Sequence, residues 1–142
     1  MKRLKTVLCS LAAVLLMTGC QDQVQQISGA YSYKISGTAV VDDTEYRLAD
    51  EQGAMEVVRL NGDSALLTFN ALLGQAYTAK ALIDGKQLTI APYERHVTVG
   101  VNDYTVTATG EGTAYDGTLV ITLHYNSAEV SANSLTLLCK KN

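Results

Sequence analysis

Two histidines, three cysteines and fourteen acidic residues are the stock from which this chain could build catalysis or a metal site. His96 alternates with Val97 and Val99 and stands beside Thr98. His124 shares a face with Thr122 and opposes Leu123. Each reads as a solvated strand histidine, because a catalytic imidazole needs a partner and a concave setting. Zinc needs a third ligand, and neither a His-x-His pair nor a close Cys/His spacing offers one. Cys139 falls in line with Leu135 and Leu137, the setting of an inert, buried thiol. A Gly-x-Ser-x-Gly nucleophile elbow and a phosphate-cradling glycine loop are both missing. Asp42, Asp43, Glu45, Asp50 and Glu51 are the densest acid group, but they lack the alternating ladder and fixed glycine of a calcium loop. They read as a solvated acidic rim, and Glu94-Arg95 as a local ion pair at a strand start. The expectation is a protein that is not an enzyme, with no metal and no cofactor.

The aromatic residues carry more information. There are eight tyrosines, one phenylalanine and no tryptophan. Tyr31, Tyr33, Tyr46, Tyr77, Tyr104 and Tyr125 fall on faces assigned inward. Tyrosine combines apolar area with one hydroxyl, which suits a pocket that buries a ligand and orients it. Tyr31, Tyr33, Tyr77, Tyr104 and Tyr125 are therefore the ligand-binding candidates. The alternative is that they fill a small core and turn their hydroxyls to its rim.

The elements that must position them are strands. Leu119, Ile121, Leu123 and Tyr125 share one face; Thr118, Thr122 and His124 take the other, with Val120 among them. Tyr104, Val106 and Ala108 oppose Thr105, Thr107 and Thr109. A period of two rich in Thr, Val, Ile and Tyr is the pattern of half-buried strands. Val41-Asp-Asp-Thr44, Asn61-Gly-Asp63, Asp84-Gly85, Asn102-Asp103 and Asp116-Gly117 interrupt it with turn chemistry. Strands are expected over 29–40, 44–49, 54–60, 64–70, 76–83, 86–91, 94–101, 103–110, 112–115, 117–125 and 133–140. Pro92 marks an interruption or bulge. The fold expected is all-β: an antiparallel up-and-down meander closed into a barrel, with a β-sandwich as the alternative.

Ahead of these strands, Lys2, Arg3 and Lys5 lead into an apolar run from Val7 to Met17, broken only by Ser10, and Thr18-Gly19 precede Cys20. That layout is a secretory signal peptide, and its run is shorter than the about 20 residues a membrane-spanning helix needs. The ending Met17-Thr-Gly-Cys20 resembles the lipobox of bacterial lipoproteins, with Met17 where Leu is usual. The resemblance implies cleavage before Cys20 and lipidation of its sulfur. The domains expected are a signal over 1–19, the lipidated Cys20 with a flexible Gln-rich tether over 20–27, and one β domain over 28–142. Gln21 is not the Asp that resembles an inner-membrane retention signal, so the outer membrane is favoured, with its face left open.

Loss of the signal takes three cations from a formal net charge of −3, leaving roughly −6. Beyond Lys140-Lys141 no basic run remains, which excludes nucleic-acid binding, since phosphate neutralisation needs clustered cations. Cys139 is the one thiol left, so the core must hold the fold without an internal disulfide.

Gly29-Ala-Tyr31, opening the first strand, looks like the Gly-x-Trp that opens calycins, the superfamily of lipocalins, fatty-acid-binding proteins and avidins. That resemblance implies that Tyr31 plugs one barrel end under Lys140 or Lys141. With the Asp84-Gly85 hairpin, Ala91-Pro-Tyr-Glu-Arg95, Tyr115-Asp-Gly-Thr-Leu119 and the Lys-Lys-Asn ending, the chain resembles small calycin-like lipoproteins of Bacteroides-type bacteria. Asp63-Ser64-Ala65 resembles the O-glycosylation sequon of Bacteroidetes, which would make Ser64 an acceptor. The expected function is a lipid-anchored envelope protein binding a small, partly apolar molecule in or at the mouth of its barrel. Ala79, Ala81 and Ala108 would leave it room. The rival is a scaffold or accessory subunit with a filled barrel, docking an envelope protein through a patch such as Ala71-Leu72-Leu73. An enzyme is the third reading.

Overall fold

The alternation closes up into eight long strands rather than eleven short ones. The computed structural model describes residues 23–72 and 75–142, without the side chains of 71, 72, 75 and 132–134. The signal peptide, Cys20, Gln21, Asp22 and Leu73 lie outside the described residues, as do the side chains of Ala71 and Leu72. A short helix, α1 (Gln23–Ile27), precedes β1 (Gly29–Val41), β2 (Thr44–Asn61), β3 (Ser64–Leu72), β4 (Gln75–Asp84), β5 (Gln87–Val99), β6 (Asn102–Tyr115), β7 (Thr118–Asn126) and β8 (Val130–Lys141). Every strand pairs antiparallel with the next, and β8 returns to β1, with Tyr33 opposite Cys139 and Ile35 opposite Leu137. The meander is thus a closed ring of eight strands, not spaced evenly round one axis. The ring is weakest between β4 and β5, where Ala81–Asp84 pair with Gln87–Ile90 and the ladder extends no further along the two strands.

Three expected breaks turn out to be continuous strand. Residues 44–49 and 54–60 join in β2, where Asp50 takes a φ of 52° and the register against β1 slips between Ile35 and Gly37. Residues 86–91 and 94–101 join in β5, with a slip between Ile90 and Tyr93 that spans Pro92. Both are bulges, in which an extra residue bends a strand without ending it. Residues 103–110 and 112–115 join in β6 because Gly110 and Gly112 serve close packing, not a turn. A Cβ on Gly112 would lie 2.8 Å from the Val120 carbonyl oxygen, and one on Gly110 3.0 Å from Leu123 Cδ2. The Asp-Gly turns behave as read: Gly85 and Gly117 take φ of 62° and 68°.

The ring has two unlike ends. The hairpins after β2, β4 and β6 share one end with Gly29 and Lys141, and α1 packs there. Val24 is fully buried in the core. Ile27 accepts at its carbonyl from Tyr31 Oη (2.7 Å), Val24 from Ser28 Oγ (2.8 Å) and Gln26 from Lys141 Nζ (3.3 Å). The Gly85 amide donates to Gln23 Oε1 at 2.7 Å. Residues 23–27, expected as flexible tether, are therefore part of the fold: one buried valine and these hydrogen bonds hold them to it. The hairpins after β1, β3, β5 and β7 make the opposite, open end.

Candidate functional site

The inward side of β5 carries an unexpected charge. Arg95 is 5% exposed. Its guanidinium lies 3.9 Å from the centre of the Tyr77 ring and 5.5 Å from that of Tyr125, and Nη1 donates to Tyr125 Oη at 2.9 Å. The expected surface pair Glu94-Arg95 is corrected: Glu94 is exposed and Arg95 points into the ring. The alternation that turns His96 outward also turns Arg95 inward between Tyr93 and Val97. A guanidinium with little water gains from aromatic faces and from a phenol oxygen that can accept.

Arg95 sits against an aromatic column. Tyr33 meets Phe69 edge-on (6.2 Å, 76°), Phe69 stacks on Tyr77 (4.8 Å, 21°), and Tyr77 stacks on Tyr93 (5.7 Å, 25°). The hydroxyls of Tyr77 and Tyr93 are buried without a partner in hydrogen-bond geometry, although each is near enough to influence the other's ionisation. Burial pushes Tyr93 up to about 12 from 10.0 and Tyr77 further still. Burial also raises Tyr125, against the lowering effect of Arg95. All three are neutral phenols at physiological pH.

A cleft of about 320 Å³ opens at the open end, on the Arg95–Tyr125 pair's side of the ring. Ala39, Val41, Leu48, Val97, Val99 and Val130 form its apolar wall, Tyr125 belongs to its lining, and Tyr46 and Glu51 add polar atoms. A larger depression of about 530 Å³ lies over β1, β2 and β8, among the largely outward side chains of Ser32, Lys34, Gln52, Ala54, Leu138 and Lys140, with Tyr33 and Gly53 also in its lining. The open-end cleft is the better site despite its size, because its wall is mainly apolar and includes Tyr125, whose hydroxyl Arg95 holds in place.

The five tyrosines do not form one wall. Tyr125 lines the cleft and Tyr77 lies against Arg95, whereas Tyr33 fills the core. Tyr31 is 2% exposed at the closed end, and Tyr104 donates to Asp42 Oδ2 at 2.6 Å on the rim. That hydrogen bond is the main cause of a raised Tyr104 pKa, with desolvation adding to it. Tyr46, read as inward, is 45% exposed at the cleft. Tyr93 joins the column and was not among the candidates; it stands opposite Ala108 across the β5–β6 pair. Ala79, Ala81 and Ala108 are all buried.

Ser64 requires a correction. It is 1% exposed, and its hydroxyl is buried without a partner. A glycosyltransferase cannot reach it in the folded protein, so the folded Asp63-Ser64-Ala65 turn is not an acceptor. His124 Nε2 meets Glu111 Oε1 at 2.8 Å and His96 Nδ1 meets Thr105 Oγ1 at 3.2 Å, both exposed. Cys139 is fully buried, and desolvation pushes its thiol up to about 12. Among the described residues no group of three or more His, Cys, Asp or Glu could hold a metal ion. Comparison with family models, curated proteins and solved structures found no match.

Proposed function

We propose that this chain is a lipid-anchored envelope protein whose calycin-like barrel binds a small, partly apolar molecule at its open mouth. The cleft is the observation that carries this reading. Its aliphatic wall removes apolar ligand surface from water at about 25 cal/mol per Å². Arg95 only donates, so Tyr125 Oη accepts from it and keeps its own proton for a ligand carbonyl or hydroxyl. The core beneath is occupied by aromatic side chains, which favours the mouth over the interior. Tyr31 beside α1, with Lys141 reaching the Gln26 carbonyl, fits the plugged end expected of a calycin. The anchor rests on the Lys2-to-Cys20 pattern.

Native mass spectrometry of residues 21–142, after incubation with a detergent-free envelope extract, tests the binding. A discrete, displaceable adduct is expected, and Ala39→Trp should abolish it by filling the mouth. Tyr125→Phe should weaken it roughly three- to tenfold, the worth of one hydrogen bond. A bare mass with several extracts, or an adduct indifferent to Ala39→Trp, would sink the proposal and favour a scaffold.

A further inference from the structure

Exposed apolar side chains occur at both ends, Val101 and Tyr46 at the open one, but the closed end presents one on each of its three hairpins. Leu60 (47% exposed), Leu82 (52%) and Tyr115 (59%) stand beside the hairpins after β2, β4 and β6, one on each. Charge divides the two ends more sharply. Exposed Asp42, Asp43, Glu45, Glu51, Asp103 and Glu129 crowd the open end against Arg47. Near the closed-end turns Arg59, Lys86, Lys140 and Lys141 match Asp63, Asp84 and Asp116.

The helix α1 fixes which end the chain enters. Gln23 is held to Gly85, on the closed-end hairpin after β4. Only two residues separate Gln23 from Cys20. Three Cα steps span at most about 11 Å, less than two headgroup layers of about 5–8 Å each. β1 runs through 13 residues, or roughly 40 Å along the strand, so the open end lies beyond the tether's reach.

We infer that the closed end seats on the lipid surface through a collar of Leu60, Leu82 and Tyr115, with the cleft facing away from the membrane. This inference rests on lipidation at Cys20. Tyrosine and leucine suit the boundary between headgroups and acyl chains. The acidic open end is repelled by anionic headgroups over about a Debye length, and the near-balanced closed end is not. The ligand cleft therefore opens into the aqueous compartment, and its ligand arrives through water rather than from the bilayer.

The chain has no tryptophan, so single indoles report position without background. Lipidated full-length protein carrying Tyr115→Trp or Val101→Trp would be reconstituted into phosphatidylcholine–phosphatidylglycerol vesicles with brominated acyl chains. Position 101 is a 96% exposed site at the open end. The indole at 115 should be blue-shifted and quenched several-fold more than the one at 101. Adding Leu60→Asp and Leu82→Asp should relieve the quenching at 115 while the protein still floats with the vesicles. Equal or reversed quenching, or quenching indifferent to the aspartates, in floating protein would overturn the collar and leave the anchor standing. Protein that fails to float would overturn both.

Discussion

Gly53 is the position where one added carbon should do the most harm. It lies in β2 directly opposite Tyr33 in β1, and the Tyr33 ring occupies the space where a side chain would begin. A Cβ built there meets Cζ, Oη and Cε1 of Tyr33, none farther than 2.5 Å. Carbon contacts are optimal near 3.5–4.0 Å, so the ring or the strand must shift. The ring has little freedom: it is 3% exposed and packs edge-on against Phe69, which is itself stacked on Tyr77. Expelling Tyr33 would forfeit burial of a ring worth roughly 4–6 kcal/mol, taking 150–250 Å² at 25 cal/mol per Å². Spreading the strands is cheaper, at about 1–3 kcal/mol for an overpacked core. Alanine's smaller unfolded-state entropy returns at most about 1 kcal/mol. Gly53→Ala should thus cost about 2 kcal/mol, a shift of roughly 1 M in the urea midpoint for an m-value near 2 kcal/mol/M. Far-UV circular dichroism during urea titration reads it. The control is Tyr33→Leu, which costs about 2–4 kcal/mol through its own cavity. In that background Gly53→Ala should lose most of its effect, giving a coupling of at least about 1 kcal/mol. An equal Gly53→Ala penalty in both backgrounds, or a penalty below about 0.5 kcal/mol alone, would refute the reasoning.

Two further outcomes follow from buried groups. Cys139 and Tyr93 ionise near 9.0 and 10.0 when unfolded and near 12 when folded, so the folded state keeps protons that the unfolded state loses. Stability should be intact below pH 9 and fall from there to pH 12; urea midpoints at pH 8, 10 and 11 that rise or stay level would contradict this, as would a Cys139 thiol that reacts with Ellman's reagent at pH 8 before unfolding. Ser64→Ala removes a buried hydroxyl without a partner, so thermal denaturation should show unchanged stability or a gain of up to about 1 kcal/mol; a loss above 1 kcal/mol would mean that the hydroxyl is bonded.

Period-two patterning carried most of the fold. Leu119 to Tyr125 and Leu135 to Cys139 lie on the inner face as their alternation demands. The strand breaks expected over 50–53 and at Glu111, between Gly110 and Gly112, do not occur, because bulges and close approach use the same residues as strand ends and differ from them only in tertiary context. Pro92, by contrast, marks a bulge as its type suggested. Asp50 and Pro92 bend strands, and Gly110 makes room for Leu123. Arg95 was legible from its parity with Val97, but a lone cation in a strand ordinarily goes to solvent, and it took the opposing tyrosines to reverse that. The cleft was not legible. Ala39 and Leu48 reach it from β1 and β2, Val97 from β5 and Val130 from β8, and only the way the ring closes brings them together.

The pairing of β1 with β8 also orders the folding reaction. Tyr33 and Cys139 sit face to face from opposite ends of the domain, while every other ladder joins neighbours in sequence. Hairpins such as β6–β7 can form within microseconds, but the last ladder must close a loop of over 100 residues. Until β8 emerges, β1 and β7 each present an unsatisfied backbone edge, and a nascent or truncated chain is exposed to aggregation through the very strands that later seal the ring.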